Sequence, residues 1–256
     1  MRAPTQHSIT YMAGARPHGG CLTCKMHFRC LPRGLNERDT VRVEGLLQTR
    51  RQLKCGEYLY QAGDRCDTIY AVKTGCLKTH VCDEHGYEQV TGFQMAGDLL
   101  GMDGIGLRAH HFNLVALEDS EVCALPTARL DELPPELETI RRYLHEVMSG
   151  YIVRDHNAMI MLSKMRAEER LAAFLLDLSR RFAALGYSSS EFNLRMSRED
   201  IGSYLGIKIE TVSRMFSQFQ ERKLIDVKNR HVCILDSVRL QRIIGRSLPS
   251  KQRRVG

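Results

Sequence analysis

The sequence predicts an α+β protein in which an antiparallel β-domain is followed by a long helix and a C-terminal helical domain. Three observations support this class. Short strand-like runs alternate with turn signals from about residue 50 to 126, the apolar period becomes helical from about 135 to 165, and two short amphipathic helices joined through a glycine occupy 196–225. A run of strands followed by a run of helices is typical of α+β proteins.

The first 34 residues are predicted to form a tail and a cysteine-rich segment. Residues 1–20 are polar and Gly-rich and lack the apolar stretch of a secretory signal, so we expect a cytoplasmic protein. Residues 21–34 contain Cys21, Cys24 and Cys30 and show neither a helical nor a strand period. The nine cysteines are an odd number, which argues against full disulfide pairing. In a reducing compartment we expect five further cysteines to be small buried side chains: Cys55, Cys66, Cys76, Cys82 and Cys233.

Residues 35–135 are predicted to form the β-domain. Strand-like runs at 57–61, 68–73, 76–81 and 88–93 are mostly separated by turns that contain glycine. Strands of this length with regular turns indicate an antiparallel barrel or sandwich. No apolar run approaches the ~20 residues that a membrane span requires, so no membrane partner is expected.

Residues 136–166 are predicted to form a dimerisation helix roughly 45 Å long. Six positions spaced alternately by three and four residues form a heptad seam, which favours a homodimer over a helix that lies on its own β-domain. Asp155 lies in the middle of this seam. In a parallel dimer two such carboxylates would repel each other, which would keep association marginal, unless Asp155 lies at a solvated rim. The seam positions are His145, Met148, Ile152, Asp155, Met159 and Leu162.

Residues 167–256 are predicted to form a DNA-binding domain. An amphipathic helix over 167–185 precedes a helix that begins after the N-cap candidate Ser197, and Gly206 separates that helix from another that begins at Ile209. Two short helices joined through a glycine-containing turn are typical of a helix-turn-helix, and the runs 224–228 and 231–235 that follow predict a small hairpin, or wing.

The residues predicted to contact DNA lie in the first turn of the second helix. That end of the helix enters the major groove in such motifs, where Arg can bind guanine, Glu can accept from cytosine and Ser can contact several bases. The alternative is that these are merely solvated helix residues. The candidates are Glu210, Thr211, Ser213 and Arg214.

The charge distribution favours a polyanionic partner for the same domain. Residues 164–256 contain 19 Lys and Arg against 10 Asp and Glu, whereas residues 1–163 contain 18 against 20. All of the net charge of +7 therefore arises in the C-terminal third. A basic domain joined to a near-neutral one suggests nucleic acid, although a basic surface can also serve solubility alone.

Four segments resemble the CRP/FNR regulators, and most closely their oxygen-responsive FNR branch. The segments read AEERLAAFLLDLSRRFAALG, MSREDIGSYLGIKIETVSR, EQVTGFQMAGDLLG and ALEDSEVCALP. The resemblance covers nearly the whole chain. It implies a β-roll of the cyclic-nucleotide-binding type, a dimerisation helix and a winged helix-turn-helix.

The resemblance also implies one [4Fe–4S] cluster per subunit, held by Cys21, Cys24, Cys30 and Cys123. Thiolates are the usual ligands of such clusters, although four thiolates also suit zinc. Lys25 and Arg29 place positive charge near these ligands, which should raise the potential of a cluster. The function implied is an oxygen-responsive transcription regulator that dimerises when the cluster is intact and controls genes of anaerobic metabolism.

Two partners follow from the same resemblance. The first is double-stranded DNA with a palindrome similar to TTGAT-N4-ATCAA, contacted by Glu210, Ser213 and Arg214. The second is RNA polymerase, contacted by β-roll loops. The positions that match the polymerase contacts are Thr74, Asp83, Glu84, His85, Gly86, Tyr87 and Glu88.

The residues leave one alternative function open and disfavour two others. The open alternative is a regulator of the same fold that responds to another ligand. Its cysteines would bind zinc or no metal. Binding of cyclic AMP is not expected, because Asp98 and His110 stand near the positions that carry Glu and Arg in the cAMP-binding branch. An enzyme is disfavoured, because neither a phosphate-binding glycine loop nor a nucleophile–base pair is found.

Overall fold

The fold is that of a computed structural model, which describes residues 21–24, 26–31, 35–47, 49–131 and 138–245. It confirms the predicted α+β class, with two antiparallel sheets followed by a long helix and a helical domain. The tail predicted over 1–20 and the position of Lys25 lie outside the described residues. No helix in the described ranges combines the length and the hydropathy of a membrane span.

The β-roll consists of two four-stranded antiparallel sheets. Its strands are β1 (Thr49–Leu53), β2 (Tyr58–Tyr60), β3 (Thr68–Thr74), β4 (Cys76–Cys82), β5 (Glu88–Met95), β6 (Leu99–Leu100), β7 (Asn113–Ala116) and β8 (Ser120–Pro126). One sheet has the order β1-β8-β3-β6 and the other β2-β7-β4-β5. Strand side chains alternate between the two faces of a sheet, and the inward ones form a shared core that includes Val72, Leu77, Leu114 and Val122.

Short helices flank the roll, and two of them precede it. These are α1 (His27–Cys30), α2 (Glu37–Leu46) and α3 (Thr127–Asp131). The sequence analysis did not predict α2, which begins after Asn36, whose side chain accepts a hydrogen bond from the Asp39 backbone at 2.8 Å. Val43 of α2 packs with Ile140, so α2 connects the cysteine segment to the long helix.

The long helix α4 (Glu138–Lys164) has 27 residues. Few of its side chains are buried. Those that are buried include Ile140 and Met161. Tyr151 donates a hydrogen bond to the carbonyl of Leu99 in β6. The opposite side of α4 is largely exposed.

The C-terminal domain surrounds a core formed by four helices and a three-stranded sheet. Its elements are α5 (Ala167–Ala184), β9 (Glu191–Asn193), α6 (Arg198–Leu205), α7 (Ile209–Glu221), β10 (Ile225–Lys228), β11 (His231–Ile234) and α8 (Ser237–Ile244). The predicted hairpin is β10–β11, which β9 extends to a third strand. Neither β9 nor α8 was predicted, because both are short and gain their stability from tertiary contacts.

The prediction that five isolated cysteines are buried is wrong for two of them. Cys66 and Cys76 are buried and Cys233 is half-buried, but Cys55 and Cys82 are exposed. Cys55 lies in the turn after β1. Cys82 is the last residue of β4, next to the turn that leads to β5. The strand period places alternate residues inside, but it does not say where the sheet ends.

Candidate functional sites

The structure brings the four predicted ligand cysteines to one apolar cavity. Cys21 and Cys24 lie at the start of the described chain, Cys30 ends α1, and Cys123 lies on β8. All four line a cavity whose other walls are mostly aliphatic, including Val43, Val72, Leu99 and Ile140. A β-strand and a segment distant in the sequence thus bring four cysteines to the wall of one cavity.

Burial raises the pKa of three thiols at this cavity, those of Cys21, Cys30 and Cys123. It raises the pKa of Cys21 to about 11 and that of Cys30 to about 12, and the neighbouring thiols of the group add to both shifts. Burial also raises the pKa of Cys123, while the charge of Arg50 opposes that shift. Four partly buried thiolates in one apolar cavity require compensating positive charge, which iron or zinc ions supply as they displace the thiol protons. The donor set and its apolar surroundings therefore fit an iron–sulfur cluster.

The cysteine segment is anchored to three other elements. The backbone N–H of Cys21 donates to Glu44 of α2 at 2.9 Å, and Tyr143 of α4 donates to the carbonyl of Arg29 at 2.6 Å. Gly97, in the turn between β5 and β6, has a φ of +90°, and a Cβ there would lie 2.7 Å from the Cβ of Arg29. The fold therefore requires a glycine where α1 meets the roll. Sequence reasoning missed Glu44 and Tyr143, because neither carries a local signal.

The side chain of Arg29 reaches the C-terminal domain. Its guanidinium lies 3.5 Å from the carbonyl of Ala184, in the last turn of α5, while its Nε is buried without a hydrogen-bond partner in the described structure. A cation near a helix C-terminus is electrostatically favourable. Arg29 therefore links the cysteine segment to the C-terminal domain as well.

The six predicted seam residues of α4 are all exposed in the isolated chain. Ile152 is 56% exposed and Met159 is 67% exposed, which is unusual for apolar residues on a long helix. Asp155 is exposed between them. The exposed face is the same one that the heptad spacing selects: His145, Met148, Ile152, Asp155, Met159 and Leu162.

The helix-turn-helix is held by local interactions that the sequence predicts. Ser197 caps α6 and accepts from the backbone N–H of Asp200 at 3.0 Å, and Asp200 accepts from the backbone of Ser197 at 2.8 Å. Gly206 ends α6 with a φ of +63°, a conformation that glycine adopts without strain. Gly202 lets the turn approach closely, since a Cβ there would lie 2.7 Å from the carbonyl of Ile207.

Helix α7 buries one face and exposes the other. Val212, Phe216 and Phe219 are buried, together with Met215. Glu210, Ser213 and Arg214 are exposed on the opposite face, whereas Thr211 is half-buried. Three of the four predicted base-contacting residues are therefore fully available to a partner, and Thr211 less so.

The predicted polymerase contacts lie on exposed turns of the β-roll. Thr74 ends β3, and residues 83–88 form the turn between β4 and β5 and the first residue of β5, all of them exposed. Asp83 organises this turn by accepting from the backbone N–H groups of His85 and Tyr87, at 2.8 and 2.9 Å. Tyr87 is 76% exposed.

The positions related to cyclic-nucleotide binding are engaged within the protein. Asp98 pairs with Arg181 of α5 at 2.6 Å. His110 is buried, stacks on Tyr60 with ring centroids 3.6 Å apart, and lies 3.3 Å from the carboxylate of Asp103. Neither side chain is free to hold a ribose or a phosphate in this arrangement.

Comparison with known proteins identifies both domains. A cyclic nucleotide-binding domain model matches residues 50–134, and a Crp-like helix-turn-helix domain model matches residues 169–243. The transcriptional activator protein Anr of Pseudomonas protegens is 43% identical over 228 residues, which cover 89% of this chain and 93% of Anr. The fumarate and nitrate reduction regulatory protein of Escherichia coli K12 is 40% identical over 225 residues, which cover 88% of this chain and 90% of that protein.

A solved structure shows the same fold over most of the chain. FixK2 from Bradyrhizobium japonicum superposes with a TM-score of 0.71 at 26% identity, and the match covers 76% of this chain and 96% of FixK2. The β-roll and the helix-turn-helix lie in the ranges that the two domain models match. The chain therefore belongs to the CRP/FNR family of transcription regulators, with a cyclic-nucleotide-binding-type domain followed by a helix-turn-helix DNA-binding domain.

Proposed function

We propose that this chain is an oxygen-responsive regulator of anaerobic genes that binds one [4Fe–4S] cluster per subunit and binds DNA as a homodimer. The observation that carries the proposal is the convergence of Cys21, Cys24, Cys30 and Cys123 on one apolar cavity. The printed names of two relatives, Anr and the fumarate and nitrate reduction regulator, support the assignment to anaerobic genes.

The four cysteines would hold the cluster, and the cluster, when bound, supplies the reactivity towards oxygen. The chain's own residues transmit the occupancy of the site. Because Tyr143 binds the backbone of Arg29, a docked cysteine segment supports α4 from the side opposite its exposed seam. Only an interaction that differs between the two states can shift the equilibrium between monomer and dimer. The hydrogen bond from Tyr143 to Arg29 would be such an interaction if the cysteine segment undocks from the β-roll when the cluster is lost.

The homodimer would form through the exposed seam of α4. Two chains paired in this way would place their α7 helices about one DNA turn, roughly 34 Å, apart. A palindrome similar to TTGAT-N4-ATCAA supplies two half-sites for this arrangement. Residues Glu210, Ser213 and Arg214 would contact its bases, with Thr211 closer to the core of the domain. The exposed turn at 83–88 and Thr74 would contact RNA polymerase.

The first test is an absorbance spectrum of anaerobically purified protein, followed during exposure to air. We expect a broad band near 400 nm that changes within minutes and a parallel loss of binding to the palindrome. Cys123→Ser should remove the band, whereas Cys55→Ser should leave it unchanged, because Cys55 is exposed and lies outside the cavity.

A colourless protein that contains zinc, or no metal, and binds DNA equally in air would overturn the oxygen-sensing part. The DNA-binding part would then stand, and the chain would be a regulator gated by another ligand. A band that survives Cys123→Ser but disappears in Cys55→Ser would contradict the ligand assignment.

A further inference from the structure

A second group of potential metal ligands lies on the β4–β5 hairpin. His80 and Cys82 project from β4, and Glu88 begins β5 directly opposite Cys82. Their ligand atoms, an imidazole nitrogen, a sulfur and a carboxylate oxygen, all lie within 4.8 Å of one another. Within the described residues this is the group of His, Cys, Asp and Glu side chains that meets this spacing. None of its members belongs to the four-cysteine site.

His80 is the unusual member of the group. Its side chain is completely buried, yet neither ring nitrogen has a hydrogen-bond partner in the described structure. Its Nε2 lies 3.4 Å from a carboxylate oxygen of Glu88, but the geometry does not make a hydrogen bond. Buried polar atoms normally have partners, so an unpartnered imidazole nitrogen beside a thiol and a carboxylate is available to an ion.

Neighbouring side chains hold the three candidate ligands in place. The edge of Tyr58 contacts the His80 ring, with centroids 6.0 Å apart. Asn113 on β7 lies 3.8 Å from the Cys82 sulfur, where its amide can donate to a thiolate. Glu88 uses one oxygen for Lys78, at 2.9 Å, so its other oxygen remains directed at His80. Cys82 and Glu88 are exposed, which gives an ion an entry path and leaves a position for water.

We propose that His80, Cys82 and Glu88 bind a divalent transition metal ion of the zinc type, with solvent as the fourth ligand. Imidazole, thiolate and carboxylate together are typical zinc donors, at about 2.0–2.3 Å from the ion. The ligand atoms of a tetrahedral zinc site lie closer together than the 4.8 Å limit met here, so the three side chains would close on the ion as it binds. Cys82 releases its thiol proton to solvent on binding, while the ion keeps its oxidation state.

The site lies where the β-roll meets the DNA-binding domain. Lys78, which binds Glu88, also binds Asp200 at 2.9 Å, and Asp200 is part of the capping box of α6. The backbone carbonyl of Glu88 accepts from Ser203 of α6 at 3.0 Å. Glu88 would thus bind the ion and also take part in the contacts that hold α6.

The test is a titration of the untagged, reduced full-length chain with Co²⁺, a coloured substitute for zinc. The starting protein carries C21S, C24S and C30S, which removes three thiols of the other site. We expect one Co²⁺ per chain, with a thiolate-to-cobalt absorption in the near ultraviolet that Zn²⁺ abolishes. Addition of C82S should remove that absorption, and addition of H80N or E88Q should weaken binding at least tenfold.

The matched control is C55S, which removes another exposed thiol and should leave stoichiometry, affinity and spectrum unchanged. E88Q alters an exposed side chain and keeps His80, so it remains informative if H80N fails to fold by circular dichroism. The proposal is overturned if the starting protein binds no Co²⁺, if C82S retains the thiolate absorption, or if folded E88Q binds as tightly as the starting protein.

Discussion

At the scale of single residues, Arg214 and Tyr143 illustrate two different kinds of functional side chain. Arg214 lies on the exposed face of a strongly amphipathic helix, so the sequence pattern alone places it at a surface. Tyr143 has no such signal. It becomes important because it donates to the backbone of Arg29, which is distant in the chain but adjacent to the cysteines.

Replacement of Arg214 by Ala should weaken binding to the palindrome by about 1–3 kcal/mol and relax specificity at one base pair per half-site. The reason is that a base contact carries sequence information, whereas a phosphate contact does not. Fluorescence anisotropy with single-base variants of the site measures both effects. Arg180→Ala removes an exposed arginine on α5 and should retain the base preference. A uniform loss over all sequences would assign Arg214 to the phosphate backbone instead.

Tyr143→Phe should weaken the docking of the cysteine segment by about 1 kcal/mol, because the carbonyl of Arg29 loses its donor while the ring remains. We expect faster loss of the 400 nm band in air and a smaller dimer fraction at a given concentration. Stopped-flow absorbance and analytical ultracentrifugation measure these quantities. Tyr187→Phe, at an exposed tyrosine, is the matched control. Equal rates for both variants would show that Tyr143 does not transmit the occupancy of the site.

At the scale of elements, α4 is a helix with two different faces, one attached to the chain and one exposed. Its buried residues, Ile140 and Met161, attach it to the rest of the chain. Its exposed seam contains apolar side chains that the partner would cover in the proposed homodimer, and Asp155 in the middle of the seam would limit how tightly the two chains pair. Two carboxylates about 5 Å apart repel by roughly 3 kcal/mol at an effective dielectric constant of about 20.

Asp155→Ala should therefore keep the protein dimeric in air, with a dimer dissociation constant at least tenfold lower than that of the unaltered chain. Sedimentation equilibrium of protein purified in air measures this constant. Glu146→Ala removes an exposed carboxylate of the same helix outside the seam and should have little effect. If Asp155→Ala stays monomeric in air, Asp155 lies at a solvated rim or the seam is not the interface.

At the scale of the whole molecule, the two domains share a continuous core and a polar interface. Phe93 of β5 contacts Phe174 of α5 and Tyr204 of α6, with ring centroids 5.9 and 5.3 Å apart. Beside this aromatic group, the backbone N–H of Val90 donates to the hydroxyl of Ser203 at 2.8 Å. The helix-turn-helix is thus packed directly on β5, the strand that begins at the end of the exposed turn 83–88.

Ser203→Ala should lower the free energy of unfolding by about 1–3 kcal/mol, because Val90 is buried and its N–H would lose its acceptor. Urea denaturation followed by circular dichroism measures this change. Ser217→Ala removes a hydroxyl that bonds only within α7 and should cost less than about 0.5 kcal/mol. Equal stability of the two variants would mean that the interface contributes little to the folded state.

Much of this molecule follows from local patterns in the sequence. The strand alternation of the β-roll, the length of α4, the capping box at Ser197 and the buried face of α7 depend on residues close together in the chain. Secondary structure and helix ends are governed by such short-range interactions. The family resemblance added the identity of Cys123 as a ligand candidate, which spacing alone does not provide.

The sequence by itself determined the fold class, the order of the domains and the face of α7 directed at a partner. Only the tertiary structure decided which distant groups meet: Tyr143 with Arg29, Lys78 with Asp200, and Ser203 with Val90. It also showed that Cys55 and Cys82 are exposed. The physical reason is that hydrogen bonding, burial and metal-ligand geometry depend on distances in space, which chain spacing fixes only within a helix turn or a strand pair.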